Sequence, residues 1–292
     1  MNVRNRALKP VLALLYASAF WGFVWYPLRE LELLGLAGAW QALVAYAVAL
    51  LVLLLARGLH LKGITERPWD VIGLILAIGW ANVAFLLAVL QDEVVRVLIL
   101  FYLSPLWTVL LGRWMLGERI RWLTAWMLVL GMTGAVIMLW GDGALEIAVG
   151  LSDFLAVSAG FAFALGNVLT RRLDHLGTVS KTQLGWVGVL LISIVFIAFS
   201  DMPIPQVGAI AWLGAGLLGM LGFLFSTLSV VYGVSHMPVQ RSSVIMLFEI
   251  LVGAISAWLL AGEMIDGREW LGGALIIGGG LVAVFGGEKS GK

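Results

Sequence analysis

The sequence predicts an all-α membrane protein of ten transmembrane helices, arranged as two inverted five-helix repeats around a central cavity. The first observation is composition: 62% of the 292 residues are hydrophobic and only 12% are charged, whereas soluble domains carry roughly 25% charged residues. A chain of this length has no core large enough to hide so much apolar surface, so we expect lipid to be its solvent. The placement of the basic residues and an internal repeat predict how the helices are arranged.

A helix needs about 20 mostly apolar residues to span a bilayer, and the chain contains ten such stretches in succession. The loops between them are short and carry nearly all of the charge. The predicted helices cover residues 9–28, 33–56, 70–90, 94–113, 120–140, 148–170, 182–200, 207–232, 239–260 and 269–286.

The basic residues predict the orientation, because Lys and Arg are concentrated in short cytoplasmic loops. With the N-terminus in the cytoplasm, fifteen of the eighteen Lys and Arg residues fall inside, and only Arg29, Arg96 and Arg268 fall outside. Omitting one helix would scramble the alternation downstream. We therefore expect ten crossings with both termini in the cytoplasm.

A repeat with a period of 145 residues divides the chain into halves 1–145 and 146–292. Arg96 corresponds to Arg241 and Glu118 to Glu263, and each copy is an apolar helix that ends in Gly-Glu. Each half holds five predicted helices, an odd number, so the second half enters the membrane upside down. Inverted repeats recur in secondary transporters, where they provide one conformation open to each side. A duplication that merely packs helices in lipid is the alternative.

The motifs of this repeat resemble those of the EamA type of the drug/metabolite transporter superfamily. The resemblance rests on Trp21-Gly22 in the first helix, on a fourth helix that contains Pro105 and ends in Leu116-Gly117-Glu118, and on its second copy. It covers essentially the whole chain, and within the superfamily the chain is most similar to the bacterial aromatic amino acid exporters (YddG type). The second copy has Ile250 in place of Pro105, so we expect any helix break to be asymmetric between the halves.

The resemblance implies a secondary transporter that moves aromatic or bulky apolar amino acids out across the bacterial inner (plasma) membrane by alternating access. A small-molecule solute and the lipid bilayer are then the expected partners, and the chain is either a monomer or a homodimer.

Glu249 lies near the middle of the ninth predicted helix, at a depth where an unpaired charge is costly. It shares one helix face with Ser242 and Met246, because these residues recur at spacings of four and three. One interpretation is a carboxyl group hydrogen-bonded to a neighbouring helix. The other is a carboxyl group that faces the solute pathway and binds an amino group or a proton, which also allows an alternative function, proton-coupled efflux of multiple drugs or lipophilic cations.

The other candidate site residues are aromatic, amide, hydroxyl or proline positions at depth in five predicted helices. They are Trp21, Trp80, Asn82, Phe85, Tyr102, Pro105, Phe163, Asn167, Phe223 and Ser226. If these side chains converge, they form an aromatic-lined cavity that suits an aromatic or amphipathic solute. Each aromatic residue taken singly is better explained by packing than by contact with a solute, and Asn167 is equally well explained by a hydrogen bond between helices.

Several classes of protein are disfavoured. The chain has no cysteine, which excludes disulfides, thiolate metal sites and cysteine nucleophiles. It lacks the Gly-x-Ser-x-Gly, His-Glu-x-x-His and P-loop motifs, so we expect no catalytic residue, metal or cofactor. The net charge of +1, without a basic stripe outside the loops, argues against a nucleic-acid partner.

Two other functions within a membrane remain to be compared with transport. An intramembrane enzyme concentrates its nucleophile and base at one depth, whereas a transporter distributes weak polar contacts around a cavity at the midplane, as this sequence does. A channel is disfavoured because no helix face carries a ring of like charges.

Overall fold

A computed structural model describes residues 3–36, 38–91, 94–139, 150–200, 202–262 and 267–285, and all of the regular secondary structure in these ranges is helical. The helices form ten successive segments, which are numbered here in chain order. The first five segments contain α1 (Val3–Phe23) and α2 (Trp25–Leu33), α3 (Gly38–Arg57), α4 (Pro68–Gln91), α5 (Val94–Phe101) and α6 (Ser104–Met115), and α7 (Trp122–Leu139).

The second five segments repeat this series. They contain α8 (Leu151–Arg172), α9 (Thr178–Phe199), α10 (Ala209–Leu217) and α11 (Leu224–His236) joined by a π-helical turn (Leu218–Phe223), α12 (Val239–Met246) and α13 (Phe248–Ala261), and α14 (Gly267–Phe285). Seven stretches of the described chain are long and apolar enough to cross a membrane. The fifth and tenth segments contain shorter apolar stretches, Trp122–Met138 and Trp270–Ala283, and the fourth is divided into two helices.

The predicted fold class and the number of segments are confirmed, and five predicted boundaries are wrong by four to six residues. Three of them are the start of the first segment (Val3 instead of 9), the start of the second (Gly38 instead of 33) and the end of the eighth (His236 instead of 232). The first segment continues to Leu33 instead of ending at residue 28, because α2 is amphipathic: Leu31 is buried while Arg29, Glu30 and Glu32 are exposed. The seventh segment begins at Thr178, four residues before the predicted start at 182. The proposed division between residues 145 and 146 lies outside the described residues and stays a prediction.

The fourth and ninth segments are interrupted at corresponding positions. The break in the fourth segment is at Tyr102 and Leu103, and the break in the ninth is at Leu247, which lies 145 residues after Tyr102. Both breaks are tightened turns, in which Leu103 N–H donates to Leu100 O and Leu247 N–H donates to Val244 O. The expected asymmetry is therefore wrong. Pro105 lies in the first turn of α6, where a missing N–H costs no helical hydrogen bond, and the ninth segment is broken with Ile250 at the corresponding position, so such a break does not require a proline.

The two halves are inverted, because corresponding segments meet in opposite chain directions. In the contact between the fourth and ninth segments, Tyr102 lies beside Glu249, whereas Gly112 lies beside Val239. The first segment packs on the eighth and ninth, and the sixth packs on the third and fourth. Exchanging the two halves converts the first set of contacts into the second. A pseudo-two-fold axis between the halves requires this relation.

Glycines mark the closest crossings of this pseudo-symmetric pair. A methyl group on Gly22 of the first segment would lie 2.4 Å from the Glu249 carbonyl oxygen, and one on Gly160 of the sixth would lie 2.6 Å from the Phe101 carbonyl oxygen. Both carbonyls belong to residues next to the helix breaks. Small residues at these positions let the backbones approach closely, which holds the broken helices against the centre of the molecule.

The loops that follow the even-numbered segments share one face of the molecule, which we call the loop face. Arg172 forms an ion pair with Asp70 (2.9 Å), and the His175 ring lies 3.2 Å from Gly63 O, so the loops after the second and sixth segments meet. Glu118 accepts a hydrogen bond from Val239 N–H, which joins the loops after the fourth and eighth segments. This arrangement is the one that ten alternating crossings require.

Candidate central solute cavity

A cavity of about 210 Å³ lies between the two halves. Its walls come from the first four segments and from the sixth to the ninth, whereas α7 and α14 contribute no residue to the described lining. The fifth and tenth segments instead pack on each other through Gly134 and Gly272. The cavity extends from the middle of the broken helices to Lys181, in the first turn of α9 beside the loop face.

Nine of the thirteen candidate site residues line this cavity. They are Trp21, Asn82, Phe85, Tyr102, Pro105, Phe163, Asn167, Met246 and Glu249. Phe101 also lines the cavity, and its ring lies 4.8 Å from the Phe85 ring and 5.5 Å from the Phe163 ring. The wall at this level is therefore a continuous group of aromatic side chains. Their role in binding a solute stays a prediction.

Glu249 joins the two broken helices at the centre of the cavity. The Tyr102 hydroxyl donates a hydrogen bond of 2.5 Å to Glu249 Oε1. Tyr102 lies in the break of the fourth segment, and Glu249 follows the break of the ninth by two residues. In the part of the chain that the structure describes, no Lys, Arg or His lies within ion-pair distance of Glu249. The carboxyl group thus has one donor partner and a face on the cavity, which leaves it able to accept a further donor.

A second polar pair crosses from the second segment to the third. The Tyr46 hydroxyl donates to Asn82 Oδ1 at 2.8 Å, and Asn82 Nδ2 donates to Ile78 O at 2.9 Å. The Tyr46 ring stacks on Phe223, with 4.9 Å between centroids, and Phe223 stacks on Trp21 at 5.2 Å. These contacts hold Trp21 and Asn82 in fixed orientations at the cavity wall.

The structure places the remaining four candidates outside the lining. Trp80 is 38% exposed on the outer surface, because it lies two residues, about 200°, from Asn82 on the same helix. Phe223 is buried behind Trp21, as part of the support for the wall. Ser226 and Ser242 are buried, and each hydroxyl donates to a carbonyl three residues earlier in its own helix, a local bond that small polar side chains commonly make.

Comparison with known proteins identifies the family. Residues 8–140 and residues 150–285 each match the EamA-like transporter family. The chain belongs to the EamA-like transporter family. Members of this family are transporters, and the two separate matches correspond to the two structural repeats.

Two individual relatives are consistent with this membership. An uncharacterized transporter of Archaeoglobus fulgidus is 26% identical over 203 residues, which are 68% of this chain and 70% of the relative. A solved crystal structure superposes with a TM-score of 0.80 at 18% identity, and the match covers 94% of this chain and 98% of that one. At this level of identity the second comparison shows the fold alone.

The cavity of this EamA-like transporter also contains residues that sequence reasoning missed. Lys181 was expected in the loop before the seventh helix and Thr182 at the start of that helix, but both lie inside α9 and line the cavity, followed one turn later by Gly185 and Trp186. Their spacing of four residues is a helical signal that an earlier helix start would have revealed. Tyr46 lies within a uniformly apolar helix, where periodicity gives no signal.

Proposed function

We propose that this EamA-like transporter exports amino acids, with aromatic or bulky apolar side chains, by alternating access across the inner membrane. The observation that carries the proposal is the Glu249 carboxyl group, which faces a cavity whose walls at that depth are aromatic. An ammonium group of the solute supplies the donor that Glu249 can accept, and the rings of Trp21, Phe101 and Phe163 provide an apolar, polarisable surface for its side chain.

The conformational change is expected at the paired helix breaks. Tyr102 and Leu247 are the corresponding positions of two segments that cross in opposite directions. Because the halves are pseudo-symmetric, exchanging their conformations opens the cavity to the opposite side. The Tyr102–Glu249 hydrogen bond couples the two breaks to each other and to the bound solute.

The second candidate is proton-coupled efflux of multiple drugs or lipophilic cations, which Glu249 also supports as a counter-charge. Two features favour amino acids over it. The cavity is smaller than the clefts of about 300–1,000 Å³ that hold drug-sized ligands. Lys181 lies in the same lining, and its positive charge repels a purely cationic solute.

Flux in proteoliposomes tests the proposal. The purified chain is expected to exchange internal radiolabelled phenylalanine for external phenylalanine, and to move tetraphenylphosphonium poorly. Glu249→Gln retains an oxygen that accepts from the Tyr102 hydroxyl but loses the charge, so we expect a folded protein with phenylalanine flux reduced about tenfold or more, the value of one charge-assisted hydrogen bond. Transport of tetraphenylphosphonium in preference to phenylalanine would favour the second candidate.

A further inference from the structure

We propose that Lys181 binds the carboxylate of the solute at the loop-face end of the cavity. The inference rests on the proposed function only in taking this cavity as the solute site. It adds a specificity-determining residue and a chemical requirement, a carboxylate, that neither the family nor the aromatic lining assigns.

The first step is the burial of the Lys181 ammonium group. Lys181 is only 3% exposed, and its side chain lines the cavity. An ammonium group has three protons to donate, and the described contact of Lys181 Nζ is one hydrogen bond of 3.0 Å to Ser235 Oγ. Within the described ranges, no carboxylate lies within 4.0 Å of Nζ. Asp174 attracts the ammonium group from beyond this distance but is not in contact with it. A buried charge without a contacting counter-charge is costly, and an anionic ligand reduces that cost.

The second step is a neighbouring hydroxyl group that also lacks a partner. Thr182 is 1% exposed and lines the cavity, and its Oγ1 has no hydrogen-bond partner among the described residues. Buried hydroxyls are nearly always hydrogen-bonded. The Oγ1 atom is covered by its neighbours, so a carboxylate that accepts from the unused protons of Lys181 reaches this hydroxyl only when the Thr182 side chain turns towards the cavity.

The third step is the position of Lys181 in its helix. It lies in the first turn of α9, which contains no acidic residue, and the positive end of a helix dipole disfavours a cation there. Lys181 therefore does not stabilise its own helix. The same dipole favours an anion. The N-terminus of α9 and the charge of Lys181 therefore both attract a bound carboxylate.

The final step is the distribution of charge along the cavity. Glu249 lies in the middle of the ninth segment, and Lys181 lies at the loop-face end of the seventh. Apolar and amide side chains, among them Phe163, Asn167 and Met246, contribute to the same lining. An α-amino acid carries both charged groups on one carbon, so its carboxylate contacts Lys181 while its ammonium faces Glu249 across the cavity, whereas a simple amine or a lipophilic cation has no group for Lys181.

Four ligands with one aromatic ring separate the two charges. Phenylalanine has both charged groups, 3-phenylpropionate has the carboxylate, phenethylamine has the ammonium, and 2-phenylethanol has neither. Binding to the full chain in detergent is followed by quenching of tryptophan fluorescence, because Trp21 and Trp186 line the cavity. Lys181→Gln is expected to weaken phenylalanine and 3-phenylpropionate about 10- to 100-fold, the effect of losing one charged hydrogen bond, and to change the other two less than about twofold.

Arg171 provides the matched control. Its guanidinium donates to the backbone oxygen of Ser235, so it holds the sixth segment to the residue of the eighth that Lys181 holds to the seventh, but it is not part of the cavity lining. Arg171→Gln is expected to leave the order of the four ligands unchanged. If Lys181→Gln fails to fold, Lys181→Met, which keeps most of the apolar stem, and Lys181→Arg, which keeps the charge, repeat the comparison.

The outcomes separate this inference from the proposed function. Equal weakening of all four ligands by Lys181→Gln, or no weakening, would overturn it, because Lys181 would then be only a tie to Ser235. Loss specific to 3-phenylpropionate in a protein that moves no phenylalanine would sustain the carboxylate site and reject amino acid export. Phenylalanine flux that is insensitive to every Lys181 variant would reject the carboxylate site at Lys181 and support amino acid export.

Discussion

At the scale of single residues, Glu118 shows how one carboxyl group joins two loops and caps a helix. Its Oε1 accepts a hydrogen bond of 3.2 Å from Val239 N–H, and Val239 is the first residue of α12, where backbone donors lack helical partners. Its Oε2 is buried and has no hydrogen-bond partner in the part of the chain that the structure describes. Burial raises the pKa of Glu118 above its ordinary value of 4.5, although the N–H groups of Val239 and Gln240 and the charge of Arg171 act to lower it.

This raised pKa predicts how Glu118→Gln responds to pH. As the pH rises from 4.5, the folded protein keeps a proton that the unfolded chain has lost, so the contribution of Glu118 to stability falls. Glutamine keeps an acceptor for Val239 N–H and does not ionise. We therefore expect Glu118→Gln to match the parent near pH 4 and to unfold at a higher temperature at pH 8, measured by thermal unfolding in detergent.

Glu118→Ala is the control for the capping bond. It removes the acceptor and is expected to lower the unfolding temperature at both pH values, since loss of a cap costs about 0.5–2 kcal/mol. A Glu118→Gln protein less stable than the parent at pH 8 would show that the bonds to the ionised carboxylate outweigh the cost of burying it.

At the scale of the helix, the repeated Gly-Glu sequence has a backbone cause. Gly117 and Gly262 follow the fourth and ninth segments with φ of 67° and 71°, in the left-handed region that glycine enters without a steric penalty. The repeat thus preserves a helix C-cap in which glycine adopts the left-handed conformation. The glutamate of the second copy, Glu263, lies outside the described residues.

The crossing of the first and ninth segments gives a prediction about Gly22. An alanine there places a methyl group 2.4 Å from Glu249 O and 2.9 Å from Gly253 N, so the two backbones must separate. We expect Gly22→Ala to destabilise the protein by about 1–3 kcal/mol, as overpacking does, and to lower its unfolding temperature.

Gly278→Ala is the matched substitution in a helix with open space. No atom lies within 4 Å of its added methyl group, so the better helix propensity of alanine predicts no loss of stability and a gain of up to about 1 kcal/mol. Equal effects of the two substitutions would contradict the close crossing at Gly22.

At the scale of the whole molecule, the arrangement of loops predicts which residues are accessible from outside the cell. Lys62 and Glu32 are exposed; Lys62 follows the second segment and Glu32 lies at the end of the first, on the opposite face. Because the chain has no cysteine, Lys62→Cys and Glu32→Cys each carry a single thiol without background. In intact cells, a membrane-impermeant maleimide is expected to label Glu32→Cys, and to label Lys62→Cys only after permeabilisation.

The same predicted orientation is expected to place a reporter fused after Lys292 in the cytoplasm. A reporter active outside the cell, or labelling of Lys62→Cys in intact cells, would reverse the orientation that the basic residues predict. The inverted contacts between the halves would stand in either case, because they do not depend on which face is cytoplasmic.

The sequence by itself determined the number of segments, their pairing into repeats and the position of the central carboxyl group. Length and apolar composition identify a spanning helix because lipid leaves no alternative partner for its backbone. The offset of 145 residues that relates Glu118 to Glu263 also relates the two helix breaks. Glu249 was identifiable because a carboxyl group in the middle of an apolar helix is costly wherever that helix packs.

Only the tertiary structure decided which face of each helix meets the cavity. In water, a polar face and an apolar face reveal how a helix is turned, but in lipid the outer face and the packed face are both apolar. For that reason Trp80 was predicted inside and lies on the surface, and Phe223 lies behind the wall it was expected to form. The place of Lys181 in the cavity follows from the start of α9 and from the contact with Ser235, and the sequence alone predicted neither.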